Sequence, residues 1–346
     1  MAVNELRDRK VHIARPATTK RACMQPNKNF VRINKEYLVA DDLVLDFNIY
    51  TLRDSDSTPI LLISRDSSIS NVKDSLKRKH LGQLYIDRKD AKSFQLFLED
   101  SITNIISNTA IPLQKKSEMI YSCAKGIMSD VFDNPRSGAN IQRARNISDN
   151  IIRLALSNYE SVPTILSLTS RDYYTFSHCV NVSVFFVGLW LMIGRSSDVE
   201  LRECALGCLL HDVGKSEIDD SILNKQGKLT EEEFAIMKEH PMLGYKLMKG
   251  HVSDIALNVI LHHHEKFNGL GYPHGLKGSE TNDCVKVSAI ADVYDALTTE
   301  RAYATARDPF EALKVMKEEM VGHFEHDKFV EFVNFLGGQF SSPPQC

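Results

Sequence analysis

A histidine and an aspartate stand side by side at the end of an apolar run, Leu209-Leu210-His211-Asp212-Val213-Gly214-Lys215. Neutral imidazole and carboxylate both bind divalent metals of intermediate hardness. A helix that ends at Gly214, where glycine favours left-handed geometry, would present the pair at the end of a buried rod. Lys215 would place a positive charge where a phosphate could sit. The pair alone is weak evidence, because polar residues at a helix end usually form a solvated terminus.

Other candidate ligands lie further along the chain. Eight of the twelve histidines fall between residues 178 and 274, several at predicted helix ends or on apolar faces where an unpaired imidazole is costly. Successive helical residues rotate by about 100°, so the three histidines of 262–264 cannot all face one metal. The apolar positions before them select His263 and His264 as the inward pair. The candidates arriving from separate helices are His178, His211, Asp212, His240, His263, His264 and Asp292.

Seven side chains are too many for one zinc ion, which takes three or four protein ligands. They suit two metals roughly 3.5–4 Å apart that share a carboxylate, the arrangement used for in-line attack on phosphorus. Mixed imidazole and carboxylate ligands fit iron or manganese, and ligand type alone leaves zinc and nickel open. The sequence therefore predicts a binuclear metal site.

The segments that would position these ligands have helical spacing. From about Ser161 to Gly338 the apolar pattern is that of an all-α domain, in which Val180–Met192 is apolar on all sides and so predicted to be buried. Capping patterns predict the starts of three ligand-bearing helices at Ser197, Thr230 and Ser253. The second of these would reach His240, where Pro241 stops or kinks it.

The first part of the chain mixes strand and helix patterns. Four short β-rich runs occupy Phe30–Ile33, Leu43–Tyr50, Ile60–Ile63 and Gln83–Ile86, with a helix predicted over Asn71–Arg78. Amphipathic helices follow from Ala91 onward. We predict an α+β fold with a small regulatory or dimerising module over 1–110, linker helices over 111–160 and the all-α domain over 161–338. The linker helices would pack on their own chain or on a dimer partner, and the sequence does not choose.

Composition narrows the class of protein. The 346 residues are 43% hydrophobic and 25% charged, with a net charge of −3, which argues against a DNA partner. Residues 1–36 carry nine basic and three acidic residues, which favours a solvated arm over a docking patch for an acidic partner. The longest apolar run, Val182–Ile193, is too short to span a bilayer, and no signal peptide opens the chain. We expect a cytoplasmic protein.

The seven cysteines are scattered, with no CxxC pair and no disulfide-framework spacing. An odd number in a chain of this length indicates a reducing compartment. Cys204 and Cys208 lie one helical turn apart in an apolar stretch and are predicted to be core residues.

The candidate metal ligands and the order of their segments along the chain resemble those of the metal-dependent HD phosphohydrolase superfamily. The segment His263–Pro273 is similar to the motif of its HD-GYP branch. The resemblance spans about 143–338. Further matching segments are Asp172–Thr175, Ile222–Lys225, Lys238–Pro241, Asp292–Thr298 and Arg301–Tyr303. The resemblance implies a bacterial signalling enzyme that hydrolyses a cyclic dinucleotide second messenger, typically cyclic di-GMP, through the linear dinucleotide.

The resemblance also implies a role for each residue. One metal would be held by His178, His211, Asp212 and Asp292, and the second by Asp212, His240, His263 and His264, with Asp212 bridging. A hydroxide between the metals would be the nucleophile. The expected catalytic residues are Lys215, which would stabilise charge on the scissile phosphate, Asp212 and His211. The expected substrate contacts are Lys215, Lys266, Gly271, Tyr272, Pro273, Asp295 and Arg301. The loop Gly269–Pro273 would form one wall of the pocket and is a candidate contact for a signalling partner.

Three positions depart from the family pattern. Tyr174 stands where some members place a glutamate that binds a third metal, so two metals are expected. Asn268 stands where aspartate is common, and Ala304 stands where a basic residue is usual, which leaves cyclic GMP-AMP open as the substrate. Alternative functions are a receptor that binds a cyclic dinucleotide without cleaving it, and an HD-type hydrolase of another nucleotide. The intact ligand set argues against the first, and the His-His-Glu to Tyr-Pro segment argues against the second.

Overall fold

The structure, a computed structural model, describes residues 29–38, 43–53, 58–68, 83–158, 160–168, 175–194, 198–300 and 305–337. A small antiparallel sheet is followed by helices, so the predicted α+β fold is confirmed. The strands are β1 (Phe30–Ile33), β2 (Ile49–Leu52), β3 (Pro59–Ile63) and β4 (Leu84–Asp87), in the sheet order β1-β4-β2-β3. The helices are α1 (Ala91–Ser107), α2 (Leu113–Asp133), α3 (Gly138–Ser157), α4 (Ser161–Leu166), α5 (Thr175–Ile193), α6 (Asp198–Leu210), α7 (Asp220–Leu223), α8 (Glu231–Met237), α9 (His240–Met248), α10 (Asp254–His262), α11 (Asp283–Thr298), α12 (Pro309–Glu318) and α13 (His326–Leu336).

The sheet follows three of the four predicted runs closely. The run Leu43–Tyr50 is different, because only its last two residues enter β2. Leu45, Phe47 and Ile49 keep the side-chain alternation of a strand and are fully buried, but Val44 pairs only through an isolated bridge to Ser68. The alternation of apolar residues in this run therefore comes from burial of one face, and not from complete hydrogen-bond pairing with a neighbouring strand. The helix predicted over Asn71–Arg78 lies outside the described residues.

Helices α1 to α3 connect the sheet to the rest of the chain. Helix α1 ends at Ser107, and α2 begins at Leu113, directly after Pro112. Arg143 of α3 binds these helices together, because Nε and Nη2 each donate to a Glu99 carboxylate oxygen over 2.7 Å, and Nη2 lies 2.8 Å from Asp130. Helix α3 packs against α2 and α6 of its own chain, which is one of the two arrangements left open by the sequence.

Helix α5 is the central helix of the all-α region, and every residue from Ser177 to Trp190 is buried. It packs against α6, α11 and α2. By length and composition α5 could cross a membrane, but 78% of its most apolar window is buried inside the protein. This burial is typical of a core helix that is hydrophobic on all sides.

The turn after α6 differs from the prediction. Helix α6 ends at Leu210, and Gly214 lies in a short 3-10 helix, Val213–Glu217, instead of at a left-handed helix end. Gly214 lacks a side chain for another reason, because a Cβ atom there would lie 2.0 Å from the carbonyl oxygen of His240 and 2.5 Å from the amide nitrogen of Gly244. The glycine therefore permits close backbone approach between this turn and α9.

The helix around His240 is also divided differently. The capping box at Thr230 is confirmed, but its helix, α8, ends at Met237. His240 begins α9 instead of ending α8, and Pro241 takes the second position of the new helix. A proline is tolerated there because the first helical N–H groups have no intrahelical acceptor. The cap at Ser253 is confirmed, with its helix ending at His262; Ser197 lies outside the described residues.

One disulfide differs from the expectation drawn from the cysteines. Cys204 of α6 is bonded to Cys284 of α11, 80 residues later in the chain. Cys204 is buried as predicted, but its interpretation as a core residue alone is incomplete. The disulfide also runs against the reducing compartment that the odd number of cysteines indicated. The pair could not be recognised from spacing, because helix packing brings the two positions together. Cys123, Cys179 and Cys208 are buried free thiols.

Candidate metal centre

Two pairs of polar residues face each other between α5 and α11. His178 and Asn181 are three residues apart on α5, as are Asp292 and Asp295 on α11, and this spacing places each pair on one helix face. His178 Nε2 lies 3.0 Å from Asp292 Oδ1, and His178 Nδ1 lies 2.7 Å from Asp295 Oδ2. All four side chains are buried. The imidazole is therefore held between two carboxylates.

Three further histidines are oriented by their own backbone. In each, Nδ1 donates to the carbonyl oxygen three residues earlier, over 2.7 Å for His211, 2.8 Å for His240 and 2.9 Å for His263. A carbonyl only accepts hydrogen bonds, so Nδ1 carries a proton, and in a neutral ring this leaves the lone pair on Nε2. This is the orientation by which metal-binding histidines are usually fixed.

Asp212 lies between these histidines and its two oxygens face different groups. Oδ1 is 3.3 Å from His240 Nε2 and 3.9 Å from His263 Nε2. Oδ2 is 3.4 Å from His211 Nε2 and 3.8 Å from His178 Nε2. Two sets of possible ligand atoms, each within 4.8 Å of one another, both contain this carboxylate. The sets are His178, His211 and Asp212, and Asp212, His240, His263 and His264.

Asp292 connects the same two sets from the opposite side. Its Oδ1 is 3.8 Å from His211 Nε2, and its Oδ2 is 3.6 Å from His264 Nδ1. The structure thus brings all seven candidate ligands together. His262 points elsewhere, with Nε2 lying 3.1 Å from His274 Nδ1.

Burial and charge keep these groups in the forms that bind metals. Burial alone would raise the pKa of Asp212, but Lys215 and His211 hold this pKa well below its usual range. Burial would also raise the pKa of Asp292, but contact with the neighbouring imidazoles, first that of His178, holds this pKa well below its usual range. Burial lowers the pKa of His263 well below its ordinary value, and that of His264 to about 3. Ionised carboxylates and neutral imidazoles are the forms required for metal ligation.

The donor atoms fit a cation better than they fit one another. The Nε2 atoms of His240 and His263 are 3.2 Å apart, and two neutral rings whose Nδ1 atoms donate elsewhere would have no proton to share there. His211 Nε2 and Asp212 Oδ1 are buried without a hydrogen-bond partner. Such groups are costly to bury unless something satisfies them. Divalent ions between these atoms would do so.

Lys215 and the loop after α10 border the solvent side of the cluster. Lys215 Nζ lies 2.6 Å from Asp212 Oδ2, with 13% of its side chain exposed. His264, the most exposed of the seven ligand positions at 26%, is covered by the half-buried Tyr272, whose ring centre lies 4.7 Å away. Pro273 follows Tyr272 through a cis peptide bond and is also half-buried.

The loop is held in place by two features. Gly271 packs directly on the preceding turn, where a Cβ atom would lie 2.4 Å from the amide nitrogen of Lys266. Glu265 is buried and accepts backbone N–H bonds from His274, Gly275 and Leu276 over 2.7, 3.1 and 3.0 Å. The loop wall is therefore a fixed part of the site.

The remaining predicted substrate residues have different placements. Lys266 is half-buried at the base of the loop. Asp295 is 2% exposed and bonded to His178 and Asn181, so its position favours support of a metal ligand over contact with substrate. Arg301 lies outside the described residues, as do Tyr174 and Ala304.

Sequence reasoning missed two residues that contribute to the centre. Asn181 donates to Asp295 Oδ1 over 2.9 Å, although it lies in a helix interpreted as apolar on all sides. A polar residue three positions after a candidate ligand was the available signal. Glu265 lies within the segment His263–Pro273, and its acceptor role depends on a loop fold that spacing does not predict.

The chain is similar to several known proteins. Residues 187–327 match the family model described as HD domain. The chain is 34% identical over 227 residues to the cyclic di-GMP phosphodiesterase PA4108 of Pseudomonas aeruginosa, covering 64% of this chain and 54% of the relative. It is 41% identical over 174 residues to 3'3'-cGAMP-specific phosphodiesterase 2 of Vibrio cholerae, covering 48% and 32% respectively.

A solved structure supports the fold. Bd1817, an HDG"Y"P protein from Bdellovibrio bacteriovorus, aligns with 90% of this chain and 100% of its own, with a TM-score of 0.64 and 23% identity. The chain spans about half of the Pseudomonas relative and about a third of the Vibrio relative.

Proposed function

We propose that this chain is an HD-domain protein of the HD-GYP type and a metal-dependent phosphodiesterase that hydrolyses a cyclic dinucleotide. The observation that carries the proposal is Asp212, whose two oxygens face two separate groups of histidines. The printed activities of the Pseudomonas and Vibrio relatives support cyclic di-GMP or 3'3'-cGAMP as the substrate. The intact set of seven ligand positions favours hydrolysis over binding alone.

Two divalent ions are proposed, iron or manganese before zinc or nickel. One set of ligands is His178, His211, Asp212 and Asp292, and the other is Asp212, His240, His263 and His264. Ions bound there would supply Lewis acidity and an activated water for attack on the phosphodiester. The low pKa of Asp212 keeps the shared carboxylate ionised for this purpose.

Lys215 is proposed to bind the scissile phosphate. Its ammonium group lies beside the shared carboxylate and is partly exposed on the side where the cluster meets solvent. A fixed positive charge there would stabilise negative charge that builds up on the phosphate oxygens. Its pairing with Asp212 holds it in position before substrate binds.

The loop after α10 is proposed as the wall that orients the dinucleotide. Tyr272 covers His264 and presents an aromatic face beside the ligands, which suits stacking against a nucleobase. Lys266, Gly271 and Pro273 complete this wall, and Arg301 is proposed as a further phosphate or guanine contact. In place of a substrate contact, we assign Asp295 a positioning role behind His178.

Assembly and location are also proposals. Leu270 at the loop tip is 75% exposed, which supports this loop as a contact for a signalling partner. A homodimer through the N-terminal module or the linker helices, and a cytoplasmic location, are proposed from the sequence.

One product assay tests the function. Protein loaded with ferrous or manganous ion is incubated with cyclic di-GMP and with 3'3'-cGAMP, and the products are separated by chromatography. We expect the linear dinucleotide to form from at least one of them. Binding without product would favour a receptor, and product only from other nucleotides would favour a different HD-type hydrolase.

A further inference from the structure

A row of buried polar groups leads from α2 to the metal ligand His178. Tyr121 of α2 donates from its hydroxyl to Asn181 Oδ1 over 3.0 Å, and Asn181 Nδ2 donates to Asp295 Oδ1 over 2.9 Å. Asp295 Oδ2 in turn accepts from His178 Nδ1 over 2.7 Å. None of the four side chains is more than 4% exposed, so solvent cannot substitute for any of these bonds.

The directions of these bonds agree with one another. Asp295 accepts a hydrogen bond at each of its two oxygens. Asn181 connects the tyrosine hydroxyl to this carboxylate, because its Oδ1 accepts from Tyr121 while its Nδ2 donates to Asp295. Burial and the charge of Asp295 raise the pKa of Tyr121 well above its ordinary value, so the hydroxyl keeps its proton and remains a donor. A donor at this point fixes which way the Asn181 amide faces.

Tyr121 belongs to a part of the chain that lies before the HD domain match of 187–327. Near its start, the same helix is held to the N-terminal module, since the Tyr37 hydroxyl donates to the carbonyl oxygen of Lys115 over 3.2 Å. Helix α2 thus contacts the module near its start and, six residues further along, the hydrogen-bonded support of a metal ligand.

We propose that Tyr121 is a positioning residue for the metal centre, acting through Asn181 and Asp295 on the orientation of His178. This inference rests on the proposed function, because it requires that His178 binds a metal. Removing a residue that hydrogen-bonds to a metal-ligating histidine typically changes the metal affinity 10–100-fold. Tyr121 lies two bonds further out than Asp295, and its loss is expected to have an effect near the low end of that range.

The test compares Tyr121→Phe with Tyr37→Phe in the full chain. Each change removes one tyrosine hydroxyl that makes a hydrogen bond involving α2, but only the first belongs to the row that ends at His178. Metal-free protein is titrated with Co²⁺ against a competing chelator, and the visible absorption of bound Co²⁺ is recorded. We expect Tyr121→Phe to weaken one of two Co²⁺ sites about 10-fold and to shift its spectrum, while Tyr37→Phe leaves both unchanged.

A double-mutant cycle identifies the route. In an Asn181→Ala background, Tyr121→Phe should have no further effect on Co²⁺ affinity, since the connection is already broken. Equal affinities and spectra for Tyr121→Phe and Tyr37→Phe, or full additivity with Asn181→Ala, would overturn the inference. Failure of the unaltered protein to bind Co²⁺ would instead refute the proposed metal centre, so the two failures are distinguishable.

Discussion

Replacing Asp212 with asparagine should remove both metals, whereas replacing a histidine of either set should remove one. The carboxylate is the one residue present in both sets of possible ligand atoms. An ion bound between Asp212 Oδ1 and His240 Nε2, which are 3.3 Å apart, would lie within about 4 Å of the carboxylate charge. The change to asparagine keeps the shape of the side chain and removes this charge.

The size of the effect follows from the charge that is lost. Two unit charges about 4 Å apart interact by about 4 kcal/mol at an effective dielectric constant of about 20. This energy corresponds to roughly 1,000-fold in a binding constant for each unit of ion charge. We therefore expect Asp212→Asn to bind neither ion at concentrations that still fill the intact set in His178→Ala and in His263→Ala.

The assay is metal content per chain after loading and desalting, measured by elemental analysis. Asp220→Asn is the matched control, because this aspartate is exposed at the start of α7. We expect two ions for the unaltered protein and the control, one for each histidine variant and none for Asp212→Asn. One tightly bound ion in Asp212→Asn would show that the carboxylate belongs to a single site and refute the bridging role.

Three further variants test the surroundings of the centre. Gly214→Ala should lower the free energy of unfolding in urea by about 1–3 kcal/mol, because its methyl group would meet the α9 backbone. Gly138→Ala should not lower it, because nothing lies within 4 Å of a Cβ atom there, and equal losses for the two variants would contradict this reasoning. Glu265→Gln should raise KM about 10-fold with little change in kcat, because weaker charge-assisted bonds loosen the loop wall; an unchanged KM would count against a role for the loop in binding. Arg143→Lys should lower the free energy of unfolding by about 1–2 kcal/mol through loss of its paired contacts to two acidic residues. Arg153→Lys, on the exposed face of the same helix, should change it by under about 0.5 kcal/mol, and similar losses for both would refute the proposed role of Arg143 in holding the helices together.

The ligand cluster could be predicted from sequence because its polar residues lie in apolar surroundings, where such residues are unusual. His178 and Asp292 are ionisable residues within largely apolar stretches of their helices, and a metal is a general reason for such placement. The inward choice of His263 over His262 needed only helix rotation and the apolar positions before them.

Features that depend on contacts between distant segments could not be predicted in the same way. The need for glycine at 214 comes from the backbone of α9, which approaches it only when the two segments pack. The link from Tyr121 to Asn181 joins residues 60 positions apart. Local patterns carry no record of such pairings, which arise only when the helices pack.

The most direct test of the central claim is to measure hydrolysis while metal is added stepwise to metal-free protein. We expect formation of the linear dinucleotide to follow occupancy of the second ion, and Asp212→Asn to form none at any metal concentration at which the unaltered protein is saturated. Protein with two ions bound per chain that leaves cyclic di-GMP and 3'3'-cGAMP intact would contradict it.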